Sequence, residues 1–456
     1  MLLVLMTYDP ELARLGVYDA RAPRYTSYPT AVQFNKTVGA NFTTSELAAL
    51  PVDKPVSIYI HIPFCERLCW FCACRTQGTK TASPVTAYLE HVIAEIDLVA
   101  QQLPKGIMAS RIHLGGGTPT ILTPDQIKLL ANALEQKIPR TKDAEFSVEI
   151  DPTLVNQAKI DALVAQGMNR ASIGVQDFAQ NVQKAIGREQ SFETTQKCVE
   201  MLRRANVRSL NMDILYGLPH QTEISVLDTI HKVQTLSPDR IALYGYAHVP
   251  WMAKRQQLID ETALPNGETR HDLFQTMAKE LETSGYTPVG IDHFAKPTDD
   301  MAIATGKGRL RRNFQGYTTD DMDTLIGLGA SSISKYPNGY VQNEAKSSDY
   351  TQAIKGGTLT SYRGIEMTRE DHMIARAIGM IMCDFAIDYP TLINEFGDDL
   401  SCLNKAVLNL QKEYKDIVSF SKSGLKIVKH KRSIARLIAK AFDQYIDDSA
   451  KFSAVS

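Results

Sequence analysis

Four cysteines lie within ten positions of the chain, at Cys65, Cys69, Cys72 and Cys74. The first three follow the spacing Cys-x3-Cys-x2-Cys, which allows three thiolates to surround one metal centre. A cubane iron–sulfur cluster held by three thiolates keeps its fourth iron open for a small chelating molecule, so the cluster can act as a reagent. The spacing therefore favours a [4Fe-4S] cluster bound by Cys65, Cys69 and Cys72.

Three other interpretations of these cysteines stay open. A structural zinc site needs four ligands, usually as two separated pairs, and the next cysteine along the chain is Cys198. Cys74 is a possible fourth ligand, although a Cys-x-Cys pair strains its loop when both sulfurs bind one ion. Disulfides are the least favoured, because the cysteine count of 7 is odd and no secretory leader precedes the chain.

The size and charge of the chain limit the class of protein to which it can belong. Its 456 residues exceed what one hydrophobic core normally holds, so we expect a large catalytic domain with a smaller appendage. Its 50 basic and 51 acidic residues argue against a nucleic-acid partner bound through overall charge. The apolar start, residues 1–6, is much shorter than a membrane span of about 20 residues. We expect a soluble, cytoplasmic monomer with no nucleic-acid partner and no membrane span.

Alternating strands and helices must position the cysteine loop. Strand patterns occur at residues 56–62, 111–115, 144–150, 170–176, 209–215, 240–247 and 287–292. Helical patterns occur between them at residues 84–103, 123–138, 156–167, 191–205, 222–236 and 269–284. This alternation predicts a parallel sheet with right-handed crossovers, either open or closed into a barrel. Sites in such folds lie at the carboxyl ends of the strands, where the cysteine loop follows the first strand.

The other predicted strand ends carry glycine or polar residues. Gly115–Gly117 follows the second strand, and glycines there let a ligand approach the backbone. Glu149, Gln176 and Asp213 share one parity with other polar residues of the third, fourth and fifth strands. A purely structural strand in a helix-covered parallel sheet is apolar on both faces. The pattern therefore predicts a shared polar pocket at this edge of the sheet.

Two ionisable residues near this pocket have structural interpretations. His113, on the second strand, fits a hydrogen-bonded core histidine, and we assign it no role. Asp151 precedes Pro152 and serves a turn or a helix cap at least as well as a ligand.

The flanking regions suggest three parts. Residues 1–55 form an irregular arm around Pro-Arg-Tyr-Thr-Ser-Tyr-Pro-Thr at 23–30, which either packs outside the domain or covers the site with its arginines. Residues 56–350 form the barrel domain with an extension. Residues 351–456 are mainly helical with a hairpin, as in winged-helix modules. Because they carry no concentrated basic stripe, we predict a lid or packing domain.

These motifs together resemble a known family. The cysteine loop and the Gly-Gly-Gly-Thr-Pro segment at 115–119 resemble the radical S-adenosylmethionine (SAM) superfamily. Within it, nearly the whole chain is similar to the oxygen-independent coproporphyrinogen III oxidase family, through the arm motif, Cys74 and segments 174–178, 188–190 and 313–319. The resemblance implies an α/β fold with a partial (β/α)6 TIM-like barrel of the radical SAM type, an N-terminal arm and a mainly helical C-terminal domain.

The resemblance also implies cofactor and substrate residues. In this family the cluster binds one SAM molecule, and a second SAM molecule lies beside the first. The residues implied for the first SAM are Tyr59, Gly116, Glu149 and Ile333. The residues implied for the second are Phe71, Gly117, Thr118, Gln176, Arg188, Asp213 and Ala247. Arg24 is the candidate partner of a substrate propionate, because guanidinium pairs bidentately with carboxylate, and Gln315 is implied to act near the substrate.

The implied reaction is the oxidative decarboxylation of two propionates of coproporphyrinogen III to vinyl groups, which gives protoporphyrinogen IX in anaerobic haem biosynthesis. It requires an electron donor that the sequence does not identify. The alternative is a haem chaperone of the same superfamily, which binds haem without oxidising its precursor. Such relatives generally lack Cys74, the arm motif and the Phe-Gln-Gly-Tyr-Thr segment at 314–318, and all three are present here. A plain electron carrier is disfavoured by the size of the chain and the missing fourth ligand.

Overall fold

The computed structural model describes residues 9–446 and 452–455. The first eight residues of the predicted arm lie outside the described residues, as do residues 447–451 and 456 of the predicted C-terminal domain. Among the helices that the structure describes, none has the length and apolar character needed to cross a membrane.

Six parallel strands and their helices form the centre of the fold. The strands are β1 Val56–Ile62, β2 Ala109–Gly116, β3 Arg140–Ile150, β4 Arg170–Gln176, β5 Ser209–Tyr216 and β6 Arg240–Gly245. The helices that follow them are α1 Ser83–Gln102, α2 Pro124–Lys137, α3 Gln157–Ala165, α4 Phe192–Arg204, α5 Glu223–Leu236 and α6 Gly267–Thr283. The strands pair in chain order, so the predicted partial (β/α)6 barrel is confirmed.

Local chemistry explains where these elements begin and pack. At the start of α2, the Thr123 hydroxyl accepts the Gln126 backbone N–H at 3.3 Å, and the Gln126 side chain accepts the Thr123 N–H at 2.9 Å. This reciprocal capping, with Pro124 at the first helical position, fixes the helix start. Apolar side chains of the barrel helices, such as Val92 and Ile230, join the strand residues in one continuous core. The packed core holds the carboxyl ends of the strands as a rigid edge.

The sheet continues past β1. Leu325–Leu328 pairs parallel with β1, and the antiparallel strands Ile333–Tyr336, Gly339–Asn343 and Ser361–Glu366 follow in order. This extension brings residues far along the chain next to the first strand, which the alternation of strands and helices did not predict.

One predicted strand beyond β6 needs correction. The stretch 287–292 is not one strand: Thr287–Val289 and His293–Ala295 are short antiparallel strands, and the latter pairs with β6. Between them Gly290 has φ +55°, a backbone conformation that glycine adopts readily, and the chain reverses there. A separate hairpin, Arg311–Asn313 with Gly316–Thr318, lies outside the main sheet.

The arm is more regular than predicted. It contains the helices Pro10–Arg14 and Ala40–Ala48 and the short 3₁₀ helix Ala31–Gln33. The sequence pattern missed these helices because each is short, and the helix Ala40–Ala48 has no side chain capping its first turn. Leu12 and Tyr28 of the arm are buried against the C-terminal helices.

The C-terminal region combines helices with a small sheet. Its helices are Arg369–Asp384, Tyr389–Phe396, Asn404–Glu413 and Lys431–Phe442. Its antiparallel strands are Ala386–Asp388, Val418–Ser421 and Gly424–Ile427. Further helices of the chain are Gln180–Ala185, Asp300–Gly306 and Ser347–Lys355. The three-part division at residues 55 and 350, and the winged-helix likeness, stay predictions.

Candidate active site

The cysteine trio lies on the loop directly after β1, at the carboxyl edge of the sheet. Cys65 and Cys69 are buried, and Cys72 is half-buried. The loop is tied to the neighbouring unit, because the Trp70 N–H donates to the Ile186 carbonyl at 2.9 Å. The thiols therefore lie on a backbone that the barrel holds in place.

Two of the sulfurs accept hydrogen bonds from other parts of the barrel. The Thr118 hydroxyl donates to Cys65 Sγ, and the Arg188 guanidinium donates to Cys69 Sγ, each at 3.6 Å. Burial raises the pKa of the Cys65 thiol to about 11, although the Thr118 hydroxyl opposes that rise. A sulfur in this environment becomes a thiolate when a bound metal compensates its charge. The donors around the trio therefore fit a metal cluster held by three thiolates.

Cys74 lies beside the third thiol of the trio. Its thiol hydrogen-bonds the Cys72 sulfur, and this contact lowers the pKa of Cys72 to about 6. Within residues 9–446 and 452–455, no group of three or more His, Cys, Asp or Glu side chains converges on a single ion.

The glycines after β2 bring the backbone against the cysteine loop. Gly116 has φ +116°, and its N–H donates to Glu149 Oε2 at 3.0 Å. A Cβ on Gly117 would lie 2.6 Å from the Phe64 carbonyl oxygen and 3.0 Å from Cys65 Sγ. Any larger residue at position 117 would displace the loop that carries the first thiol.

A carboxylate, an imidazole and a phenol form a row beside these glycines. Glu149 Oε1 lies 3.3 Å from His113 Nε2, and His113 Nδ1 lies 2.6 Å from the Ser147 hydroxyl. The His113 ring stacks on Tyr59 with centroids 5.7 Å apart. Burial raises the pKa of Glu149, but His113 and the Gly116 N–H outweigh it, so the net pKa is lowered. With 41 % of its side chain exposed, Glu149 offers an ionised carboxylate to a cationic ligand.

Arg188 supplies a buried positive charge next to the trio. Its Nη1 lies 3.4 Å from Asp151 Oδ2, and its Nη2 donates to the Gly174 carbonyl at 3.0 Å. Burial lowers the pKa of Arg188, but Asp151 and Cys69 raise it overall, so the guanidinium stays charged. Gln176, at the end of β4, adopts φ +70°, which turns the chain at the same edge.

The pKa of Asp213 on β5 is shifted in the opposite direction to that of Glu149. Its two oxygens accept hydrogen bonds from the Ser172 hydroxyl at 3.1 Å and the Asn211 amide at 2.8 Å. Burial and the nearby charge of Glu149 nevertheless raise the pKa of Asp213. Two carboxyl groups within electrostatic reach of each other thus have pKa values displaced in opposite directions, which is common at functional sites.

The remaining predicted cofactor residues lie on the same edge. Gln256 Nε2 donates to the Phe71 carbonyl at 2.7 Å and to the Ala247 carbonyl at 3.0 Å, which joins the cysteine loop to the end of β6. Ile333 lies against Gly327, because a Cβ on that glycine would meet the Ile333 carbonyl oxygen at 2.7 Å. Ile333 therefore lies on the sheet extension, one strand away from β1.

The two predicted substrate residues lie at the β6 end of the row. Arg24 Nη2 donates to the Gly245 carbonyl at 2.7 Å, so the arm reaches the carboxyl end of β6. Gln315 is exposed at the tip of the hairpin outside the sheet. The next residue, Gly316, lies so close to β6 that its Cβ would be 3.0 Å from the Tyr244 hydroxyl. The arm and the hairpin thus approach the sheet at β6, the strand farthest from β1 in the row of six.

Part of this site was not predicted from the sequence. The strand register aligns Tyr59, His113 and Ser147 in one row across β1, β2 and β3. His113 on β2 aligns with Ser147, which has the same parity as Glu149 on β3. This shared parity was a sequence signal that could have identified His113. Asp151 makes the expected turn, accepting the Thr153 N–H at 2.9 Å, and it also pairs with Arg188, which no local pattern indicated.

Comparison with known proteins agrees with this geometry. The Radical SAM superfamily profile matches residues 59–233. The chain is 52% identical to an oxygen-independent coproporphyrinogen III oxidase of Cereibacter sphaeroides, over 99% of this chain and 100% of the relative. It is 36% identical to the Helicobacter pylori enzyme of that name, over 98% of this chain and 99% of the relative.

A solved structure gives the same result for the fold. The coproporphyrinogen III oxidase of Escherichia coli, described as a radical SAM enzyme, superposes with a TM-score of 0.89 at 36% identity. The match covers 93% of this chain and 98% of that chain. The chain therefore belongs to the oxygen-independent coproporphyrinogen III oxidase family of the radical SAM superfamily.

Proposed function

We infer that this protein is an oxidoreductase that decarboxylates two propionate side chains of coproporphyrinogen III to vinyl groups, giving protoporphyrinogen IX in anaerobic haem biosynthesis. The observation that carries this conclusion is the whole-chain identity of 52% to an enzyme of that name. A [4Fe-4S] cluster and SAM belong to the radical SAM superfamily, whose profile the chain matches. When bound, they supply the one-electron step that generates a hydrogen-abstracting radical.

In this proposal Cys65, Cys69 and Cys72 hold the cluster. Thr118 and Arg188 donate to two of these sulfurs and keep them oriented toward the pocket. Hydrogen bonds to ligating sulfurs also tune the potential of such a cluster. Gly117 lets the backbone after β2 close over the loop.

The first SAM molecule binds beside the cluster in this proposal, at Tyr59, Gly116, Glu149 and Ile333. Support comes from the lowered pKa and the exposure of the Glu149 carboxylate, which suit it to an ammonium group. His113 orients that carboxylate by hydrogen bonding and by stacking on Tyr59.

We also propose a second SAM molecule. Its residues are Phe71, Gly117, Thr118, Gln176, Arg188, Asp213 and Ala247. A zwitterionic amino-acid group needs one cationic and one anionic partner. Arg188, which donates to the carbonyl of Gly174 on β4, and Asp213 on β5 supply them in this proposal. Support also comes from Gln256, which ties Phe71 to Ala247 through their carbonyl oxygens.

The substrate occupies the β6 side of the pocket in this proposal. Arg24 pairs with a propionate, because a guanidinium matches the two oxygens of a carboxylate. Gln315 acts near the macrocycle from the hairpin tip. The electron donor, the monomeric state and the cytoplasmic location stay predictions.

An anaerobic assay tests this function. Reduced, iron-reconstituted protein is incubated with SAM and coproporphyrinogen III, and protoporphyrinogen IX and carbon dioxide are measured. We expect both products to form. Haem binding without turnover would contradict the proposal and support a haem chaperone.

Two variants test the substrate residues in the same assay. Arg24→Ala and Gln315→Ala should lose turnover while still cleaving SAM. Arg21→Ala is the matched control, since Arg21 is an exposed arginine of the same arm that bonds the Phe452 carbonyl. Wild-type turnover in the Arg24 or Gln315 variant would remove that residue from the substrate site.

A further inference from the structure

Five arginines line one cavity next to the carboxyl ends of β5 and β6. They are Arg24, Arg270, Arg312, Arg432 and Arg436. The cavity lies where the arm, α6, the 311–318 hairpin and the helix Lys431–Phe442 meet. Among its described lining residues, the one carboxylate is that of Asp292. Arg432 also pairs with Glu282 at 2.8 Å, and the other four arginines concentrate positive charge beside the proposed pocket.

Two of these guanidinium groups are held by backbone carbonyls. Arg24 Nη2 donates to the Gly245 carbonyl at 2.7 Å, and Arg436 Nη1 donates to the Ala454 carbonyl at 2.8 Å. Carbonyl oxygens satisfy hydrogen-bond donors but leave the positive charge uncompensated. Arg436 is only 7% exposed, and burial together with the charge of Arg24 lowers its pKa to about 9.

The Arg270 guanidinium lies against two glycines at the ends of neighbouring strands. Its Nη1 donates to the Tyr246 carbonyl at 3.0 Å, and the residue is 9% exposed. A Cβ on Gly217 would lie 2.1 Å from Arg270 Nη1, and a Cβ on Gly245 would lie 2.9 Å from Arg270 Nη2. Glycines after β5 and at the end of β6 thus make room for this guanidinium.

Arg312 brings buried donors that the protein itself does not satisfy. Its Nε and Nη1 atoms are buried without a hydrogen-bond partner, while Nη2 lies 3.3 Å from the Arg24 carbonyl. Its guanidinium lies 4.5 Å from the centre of the Tyr317 ring. Buried donors are costly unless an acceptor meets them, so this group is suited to an anionic ligand.

The cavity adjoins the proposed cofactor pocket. Tyr244, on β6, lies within electrostatic reach of Asp213, Arg312 and Arg24. A ligand beside this tyrosine would therefore lie near both the Asp213 carboxyl group and the arginines. The planar, two-oxygen geometry of a carboxylate matches the donor fork of a guanidinium.

Resting on the proposed function, we propose that Arg270, Arg312 and Arg436, together with Arg24, form a carboxylate subsite that holds one propionate of the tetrapyrrole. The subsite anchors the macrocycle while another propionate meets the radical. It makes recognition depend on a carboxylate that is not itself reacting. These arginines are positioning residues for the substrate.

Binding and kinetics of one variant pair test the subsite. Arg312→Met removes the charge and keeps an apolar stem against Tyr317. Arg311→Met is the matched control, because neighbouring residues of a strand point to opposite faces. In the anaerobic assay, Arg312→Met should raise KM for coproporphyrinogen III about 10- to 100-fold, the usual range for a lost charged hydrogen bond. Arg311→Met should keep the wild-type KM, and both variants should retain their iron content.

A direct binding measurement separates this inference from the proposed function. Holoprotein is titrated with coproporphyrin III, the stable oxidised form with the same four carboxylates, and with its tetramethyl ester, following porphyrin fluorescence. Arg312→Met should weaken binding of the acid by at least about tenfold and leave that of the ester unchanged. Equal affinity of Arg312→Met and Arg311→Met for the acid would overturn the subsite even if the wild type turns over.

The remaining outcomes also decide the question. A wild type that shows no turnover, but whose coproporphyrin binding depends on Arg312, would refute the proposed reaction and keep the subsite. If Arg312→Met does not fold, as circular dichroism would show, Arg24→Gln on the exposed arm replaces it in the same titration. Wild-type affinity in Arg24→Gln would then overturn the subsite.

Discussion

Replacing Glu95 should most clearly test how the barrel is joined to its sheet extension. It lies on α1, is 2% exposed, and its carboxylate accepts four hydrogen bonds. The donors are the Gly329 N–H at 2.6 Å, the Asn343 amide at 2.7 Å, the Tyr350 hydroxyl at 2.7 Å and the Thr360 hydroxyl at 2.8 Å. This carboxylate thus connects a barrel helix to four segments in and next to the sheet extension that carries Ile333.

The isosteric change Glu95→Gln should cost stability because it replaces one acceptor oxygen with an NH₂ group. The hydroxyls of Tyr350 and Thr360 can rotate to accept from that group. The Gly329 N–H cannot, and Asn343 cannot flip without losing its bond to the Gly329 carbonyl at 3.1 Å. One buried donor therefore stays unpaired. Because burial raises the pKa of Glu95, the neutral amide avoids part of the cost of a buried charge, so we expect a loss of about 2 kcal/mol.

Urea denaturation, followed by circular dichroism, measures this loss as a lower midpoint at an unchanged slope. Glu90→Gln is the matched control, since Glu90 lies on the exposed side of the same helix. It should unfold at the wild-type midpoint. If Glu95→Gln also unfolds at the wild-type midpoint, the four donors do not depend on the carboxylate and our account of this junction is wrong.

Three further predictions concern the site and the pH dependence of stability. Gly117→Ala should displace the cysteine loop and reduce the iron and sulfide content after reconstitution, whereas Gly379→Ala, whose Cβ meets open space, should keep it. Burial raises the pKa of Glu145, but neighbouring arginines lower it to about 2, so its ionised form stabilises the fold above its ordinary pKa of 4.5. That contribution is lost as the pH falls from 4.5 to about 2. In Glu145→Gln the urea midpoint should therefore depend less on pH over this range. An unchanged pH profile would contradict the assignment. Arg188→Met removes a cation and a hydrogen bond from the Cys69 sulfur, so the cluster potential, measured by anaerobic redox titration, should become more negative; an unchanged potential would count against this contact.

Much of the fold could be predicted from local sequence. The helix predicted at 222–236 is Glu223–Leu236 in the structure, because Thr222 and Ser225 form a capping box at its start. Alternation of strands and helices indicated the six βα units, and the spacing of the cysteines placed them on one loop. Parity along the strands selected Glu149 and Asp213, whose side chains lie within electrostatic reach of each other.

Contacts between distant parts of the chain could not be predicted in this way. His113 lies beside Tyr59 and Ser147 only because of the register of β2 against β1 and β3. The arginine cavity gathers residues from positions 24, 270, 312 and 436, and Glu95 meets partners more than two hundred residues away.

The difference between what local sequence predicts and what long-range contacts add has a physical reason. Propensity, capping and alternation act over a few residues, so the sequence by itself determined the order of elements and the Cys-x3-Cys-x2-Cys loop. Which strand follows which in space, and which charges are buried together, depends on how whole elements pack. The tertiary structure alone therefore decided the charge balance around the pocket.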